Sequence, residues 1–390
     1  MKKCASGLVY VLYLLLYFLF CLIGFAARLF PSFRNLWLVA ERKTDGRDNG
    51  YHFFKYLNEK HPEINSAYII DKHSPDYEKM KKIGKIIQPY TARHFLAFCC
   101  AKVRISTHYM SCSPEPYRFA ALKRYGLIFG KDMLIRHGIA ASDLRELHYP
   151  KAKVDLLVCS AYPEFRDMSE NYGHPNGVVE MTGLCRYDRL LSPHTVKKQI
   201  LVMPTWRYYL WKLSDEEFMQ SEYFKQFSAL LNNEALSRVC AQKGYEIVLY
   251  LHHEMQRFSH LFESDLKTVK VLHAGGADVQ QLLMESAMLV TDFSSVFFDF
   301  AYMGKPLLYL QFDADVYYKQ QYGKSYFDCT RDGFGPVYSD AENAAEYIAK
   351  KVEDGMAEDE VYAARAKAFF GARTADHCEK VYRAILKRLK

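Results

Sequence analysis

The chain has 390 residues, half of them hydrophobic and a quarter charged, with a formal net charge of +7 at neutral pH. That length exceeds one ordinary domain and suits two of about 150–190 residues, and the composition excludes a disordered scaffold. The charge is too diffuse for a nucleic-acid partner, since no basic stripe, zinc-finger or RNA-recognition pattern occurs, and no repeat points to a solenoid.

From Ala5 to Ala27 there is no charged residue, and Leu8–Phe25 is almost wholly apolar or aromatic. A cleaved leader would need a small-residue cleavage site, which Gly24-Phe25-Ala26 matches poorly, and a uniformly apolar core helix is rare so near a terminus. We therefore expect residues 1–34 to be a membrane anchor that spans the bilayer or lies in its interface. Arg28, Arg34, Arg42, Lys43 and Arg47 follow the apolar run and outnumber Lys2 and Lys3 before it, so the remainder is expected at the cell membrane on its cytoplasmic side. The ten cysteines agree with a reducing compartment: Cys99 and Cys100 are adjacent, the others are scattered, and no CxxC pair suggests structural zinc.

Downstream, short apolar runs alternate with amphipathic stretches. Ser66–Ile70, Ile83–Gln88, Val103–Thr107, Asp132–His137, Leu156–Ser160 and Val178–Thr182 read as strands, with helices at Gly50–Lys60 and Thr91–Cys100. A polar stretch, Ser192–Lys198, marks a boundary between domains at 35–191 and 192–390. The alternation then restarts with strands at Gln199–Met203, Glu246–Leu251, Val269–Leu272, Met288–Thr291 and Pro306–Tyr309. Strand–helix alternation implies parallel sheets, and two such α/β domains in series are expected to bind ligands in a cleft at the C-terminal ends of their strands. The basic terminal segment Cys378–Lys390 fits either an anionic membrane surface or a helix packed on the core.

The most informative segment is Thr291-Asp292-Phe293-Ser294-Ser295, where an apolar strand turns into an apolar helix. Asp292 or Ser294 can cap that helix, and its free N–H groups beside two hydroxyls suit a phosphate; a plain capping turn is the competing account. His137 ends an apolar strand and precedes Gly138, so its ring can emerge with open backbone beside it and take a proton from a hydroxyl. Arg207 follows a strand and the Pro204-Thr205-Trp206 turn, a place from which it can pair with a diphosphate. Asp299, about one turn into the helix, either accepts a sugar or polyol hydroxyl or bonds to backbone. Arg186 and Asp188 are expected to close the cleft as an ion pair. His252 and His253 are adjacent, but His-His-Glu-Met lacks the spacing of a zinc motif.

These segments, with Phe298-Asp299-Phe300, Gly304-Lys305-Pro306, Tyr326-Phe327-Asp328 and Gly335-Pro336-Val337, resemble the CDP-glycerol glycerophosphotransferase family of teichoic-acid primases and polymerases. Earlier segments match in the same order: Arg136-His137-Gly138-Ile139, Thr182–Leu190 and Met203-Pro204-Thr205-Trp206-Arg207. The resemblance implies a GT-B-like fold of two Rossmann-like domains and a CDP-glycerol or similar CDP-alditol donor. It implies His137 as base, His252 on the donor phosphates beside Arg207, Ser294 and Ser295, and a lipid-linked polymer as acceptor. No cofactor or obligatory metal is expected. The chain departs from the family at Arg136, where Trp is usual, and at His253, where Pro is usual. Two rival readings share the fold: a glycosyltransferase using a nucleotide sugar, and a non-catalytic assembly protein.

Overall fold

The computed structural model describes residues 2–125, 128, 130–141, 143–273, 275, 277–320 and 326–390. They form two compact units: Met1–Ile139 with Leu144–Arg189 and Thr374–Lys390, and Ala140–Asp143 with Leu190–Arg373.

The first unit is built on a seven-stranded sheet of β1 (Trp37–Ala40), β2 (Ser66–Ile69), β3 (Lys85–Ile87), β4 (Val103–Ser106), β5 (Lys131–Leu134), β6 (Leu156–Cys159) and β7 (Val179–Met181). Its order is β3-β2-β1-β4-β5-β6-β7, and every pairing is parallel. Alternate residues of β1 enter opposite cores. Trp37 and Val39 pack with Phe53, Phe54 and Leu57 of helix α2 (Asn49–Lys60), while Leu38 and Ala40 pack with Phe98 and Tyr17. Burial on both faces explains why these strands read as continuous apolar runs.

The second unit carries β8 (Gln199–Val202), β9 (Glu246–Tyr250), β10 (Val269–Leu272), β11 (Met288–Thr291), β12 (Leu307–Leu310) and β13 (Val337–Tyr338). This sheet, ordered β10-β9-β8-β11-β12-β13, is also parallel throughout. One face packs Ile200, Ile247, Leu249 and Val290 against Phe218, Phe227 and Ile348.

The C-terminal helix (His377–Leu389) corrects the expected domain boundary, because it packs in the first unit and not with the residues that precede it. Cys378, Val381 and Ile385 enter the core beside Trp37 and Val103, so its apolar face is covered by protein. Asp188 caps this helix, accepting from His377 N at 2.7 Å and Cys378 N at 2.9 Å. Gly183 makes the close approach possible: its φ is +79°, and an added Cβ would sit 2.0 Å from His377 Nδ1.

Helix α1 (Lys2–Ala27) lies against the helix Ala92–Cys100. Tyr17 is buried, Phe20 stacks on Phe95 at 5.3 Å, and Arg28 Nη2 donates to Cys99 O at 3.1 Å. The opposite side is open, with Leu15 61%, Leu22 73% and Phe25 79% exposed.

Candidate functional site

In an open parallel sheet, ligands bind beyond the strand C-termini where the strand order reverses. In the first unit that point lies between β1 and β4. Ala40 pairs with Ser106, and Ser106 with Leu134, so Arg42, Thr107-His108 and Arg136-His137 emerge side by side.

Arg136 has φ +57°, a left-handed conformation that a long side chain rarely adopts. Its surroundings hold it there: the buried guanidinium pairs with Glu164, and its carbonyl accepts from Asn49 Nδ2 at 2.9 Å. The turn carries His137 out of the sheet. Asn49, fully buried, uses its other end to accept from Arg186 N at 2.9 Å, and the Arg186 guanidinium bonds both His137 O and Asp48 Oδ1. Arg186 therefore pairs with Asp48 and not with Asp188, which caps the C-terminal helix; the ion pair expected between them does not form. Gly138 is not forced by sterics, since an added Cβ would find Arg186 Nη2 no nearer than 3.8 Å.

The His137 ring lies face to face with that of His108, centroids 4.4 Å apart and planes within 5°. His108 Nδ1 meets Thr107 Oγ1 at 3.0 Å. Burial, then Arg42, depresses the His108 imidazole to about 4, with Asp45 opposing. For His137 partial desolvation against the neighbouring loops does the most to favour the neutral ring, followed by His108, Arg136, Arg186 and Arg42. Its edge remains open to solvent, which tempers the effect; the direction is below the ordinary 6.5. A neutral imidazole is the form that accepts a proton.

In the second unit the reversal lies between β8 and β11. His252 follows β9, Trp206 follows β8, and Ser294 and Ser295 follow β11, so they stand on three neighbouring strands. His252 Nδ1 accepts from Glu254 N at 3.3 Å, which leaves the proton of a neutral ring on Nε2 as a donor. Its ring lies nearly parallel to Trp206, at 6.0 Å. His253 is exposed and meets Glu254 at 3.2 Å. Ser295 occupies the N-cap of the helix Val296–Tyr302 without a side-chain capping bond, and neither Ser294 nor Ser295 has a side-chain partner among the described residues.

Arg207 is a correction. It is 0% exposed, grips Asp313 at 2.8 and 2.9 Å, pairs with Asp292 at 2.9 Å, and donates to Thr205 O at 2.9 Å. Phe293, Tyr317 and Tyr223 surround the guanidinium. A group so enclosed cannot hold a diphosphate. Asp292 is equally buried and accepts from Thr205 N at 2.7 Å, so it braces the turn after β8 instead of capping the helix after β11. Thr291 donates to Met203 O at 2.7 Å, stitching the two strand ends together. Asp299 lies inside, 5% exposed, which favours the competing account in which it serves the protein's own polar groups.

His108 and Asn49 escaped the sequence reading. The signal for His108 was the one that found His137: a polar residue directly after an apolar strand. Asn49 had none, because its two partners lie 87 and 137 residues away.

The sequence pattern described as CDP-Glycerol:Poly(glycerophosphate) glycerophosphotransferase matches residues 26–387. The minor teichoic acid biosynthesis protein GgaB of Bacillus subtilis (strain 168) is 30% identical over 91% of this chain, which spans only 40% of that relative. A teichoic acid glycerol-phosphate primase of Bacillus spizizenii is 26% identical over 67% of this chain and 66% of its own length. The solved structure of the wall teichoic acid polymerase TagF, variant H548A, has a TM-score of 0.70 at 15% identity, covering 100% of both chains, which shows a shared GT-B-like fold.

Two outcomes follow from this geometry. Replacing Arg207 with Ala strands the buried Asp292 and the partly buried Asp313 and should cost the second unit about 3–5 kcal/mol, read as an earlier urea midpoint; an unchanged midpoint would refute a bracing role. Because the His137 pKa lies below 6.5, its ring stays neutral as pH falls through that value and takes up a proton only in more acidic solution. An NMR titration of its ring resonance, assigned by comparison with His137→Gln, should therefore show a midpoint below that of the unfolded chain. A midpoint at or above 6.5 would contradict the stacked environment.

Proposed function

As a member of the CDP-glycerol:poly(glycerophosphate) glycerophosphotransferase family, the chain, we propose, transfers glycerol phosphate from CDP-glycerol to a hydroxyl of a lipid-linked surface polymer and releases CMP. The observation that carries this reading is the solvent-exposed His137 imidazole at the strand reversal of the first unit, stacked on His108. His137 removes the proton from the acceptor hydroxyl, and the oxygen attacks the distal phosphorus of CDP-glycerol. The bond from that phosphorus to the CMP oxygen breaks, CMP leaves as an anion, and the base returns its proton to solvent. His252 Nε2–H and the Ser294 and Ser295 hydroxyls donate hydrogen bonds to phosphate oxygens, which stabilises charge as the group transfers. Arg207, Asp292 and Thr291 contribute by holding the strand ends from which those donors project.

The acceptor's lipid gives α1 its role. A 26-residue helix is about 39 Å long, enough to cross a bilayer, yet from about its middle onward the inner face keeps protein contacts, from Tyr13, 3.4 Å from Glu115, to Arg28 just past the helix end. Spanning would sacrifice those contacts. The exposed Leu15, Leu22 and Phe25 favour a helix lying in the membrane interface, and the basic residues after the apolar run favour the cytoplasmic side for the two units.

His137→Ala should lower turnover by about 10²–10⁴-fold while CDP-glycerol still binds, measured by CMP release and calorimetry; near-normal turnover would remove it as base. His252→Ala should instead weaken CDP-glycerol binding by about tenfold. Mass analysis of the product must show an added phosphodiester unit, since an added hexose would select the glycosyltransferase reading. Leu22→Gln with Phe25→Gln, which leaves the charge unchanged, should release the protein from vesicles in flotation, and undiminished flotation would disprove the interfacial placement of α1.

A further inference from the structure

Most charges near the strand reversal of the first unit are already spent. Arg136 is paired with Glu164, Arg186 with Asp48, and Asp76 holds Arg47 at 2.8 Å and Lys79 at 3.4 Å. Glu41 is buried and accepts three backbone N–H groups, from Arg47, Asp48 and Tyr51. Lys43 is partly buried, with its ammonium over the Tyr90 ring. Arg42 differs. It is exposed, and among the described residues its guanidinium has no hydrogen-bond, ion-pair or ring partner.

Its position is set by register. Ala40 pairs with Ser106, and Thr107 N donates to Ala40 O at 3.1 Å, so Arg42 and His108 leave neighbouring strands at the same height. His108 in turn is stacked on His137. An open guanidinium, a flat imidazole and the catalytic imidazole thus stand in a row across the ends of β1, β4 and β5.

We propose that Arg42, walled by His108, forms an anion subsite for a phosphodiester of the acceptor chain, next to the hydroxyl that His137 activates. This rests on the functional reading given above. A polyol-phosphate chain carries a phosphate beside each hydroxyl, and a guanidinium fork binds phosphate oxygens two at a time. The bound anion also has an electrostatic effect. The cations facing His137 are Arg42 and Arg186 from neighbouring segments and Arg136 from its own, against Asp48 and Glu164; Asp45 and Glu41 lie along the Arg42 segment. A phosphate on Arg42 cancels part of the positive excess and raises the basicity of His137 when acceptor is present. The same phosphate chemistry could come from the CDP-glycerol diphosphate, and the test separates the two sources.

The full-length protein is assayed with a short glycerol-phosphate oligomer and with phosphate-free diglycerol as acceptors. Arg42→Gln should raise KM for the oligomer about tenfold and lower the oligomer-to-diglycerol ratio of kcat/KM by a similar factor, with Arg42→Lys between the two. An increase confined to KM for CDP-glycerol, or no change in either KM, would overturn the proposal. Calorimetric binding of the oligomer without donor gives a readout independent of turnover. Binding by the native protein that Arg42→Gln weakens supports the subsite even if CMP is never released, an outcome that would count against the functional reading alone. Equal binding by both proteins, or none by the native one, overturns the subsite.

Discussion

A parallel sheet covered on both faces leaves chemistry only the ends of its strands, and both units of this protein are organised by that constraint. Side chains within the strands are committed to apolar packing, as the alternation of Trp37, Leu38, Val39 and Ala40 into two cores illustrates. Polar residues accumulate where each strand stops: His108 after β4, His137 after β5, His252 after β9, Ser294 and Ser295 after β11. Reversal of strand order separates the loops at one position in each sheet and makes room there for a ligand.

Positioning at those ends depends on buried polar groups whose partners are complete. Asn49 bonds the carbonyl before His137 with one end of its amide and the backbone of Arg186 with the other. Arg136 sustains a left-handed backbone because Glu164 and Asn49 hold it from both sides. The corresponding brace in the second unit is Arg207, shared between Asp292 and Asp313. Removing one member of such a network exposes the full desolvation cost of those that remain.

Arginines illustrate how partner supply decides role. Arg104, Arg136 and Arg207 are all buried, and each meets at least one carboxylate, so each serves structure. Arg42, by contrast, is solvent-exposed beside the stacked pair of His108 and His137, and among the described residues its guanidinium meets no carboxylate. Residue type and nearness to a motif do not separate these cases.

Local pattern along the chain was enough to determine most of the fold. Eleven of the strands carry runs of apolar residues that stand out between polar segments, and His137 and His252 were legible because each directly follows such a run. The other two strands were hidden for plain reasons: β1 has four residues and β13 only two, too short for a pattern to stand out. Ordered motifs across both halves likewise pointed to the family without any knowledge of contacts. Tertiary structure alone decided that Arg207 is enclosed, that Asp188 caps the last helix, that this helix returns to the first unit, and that α1 lies along the protein. Each of those outcomes depends on a partner distant in sequence, such as Asp313 for Arg207 or His377 for Asp188. Burial and pairing are properties of neighbours in space, which a one-dimensional pattern does not contain.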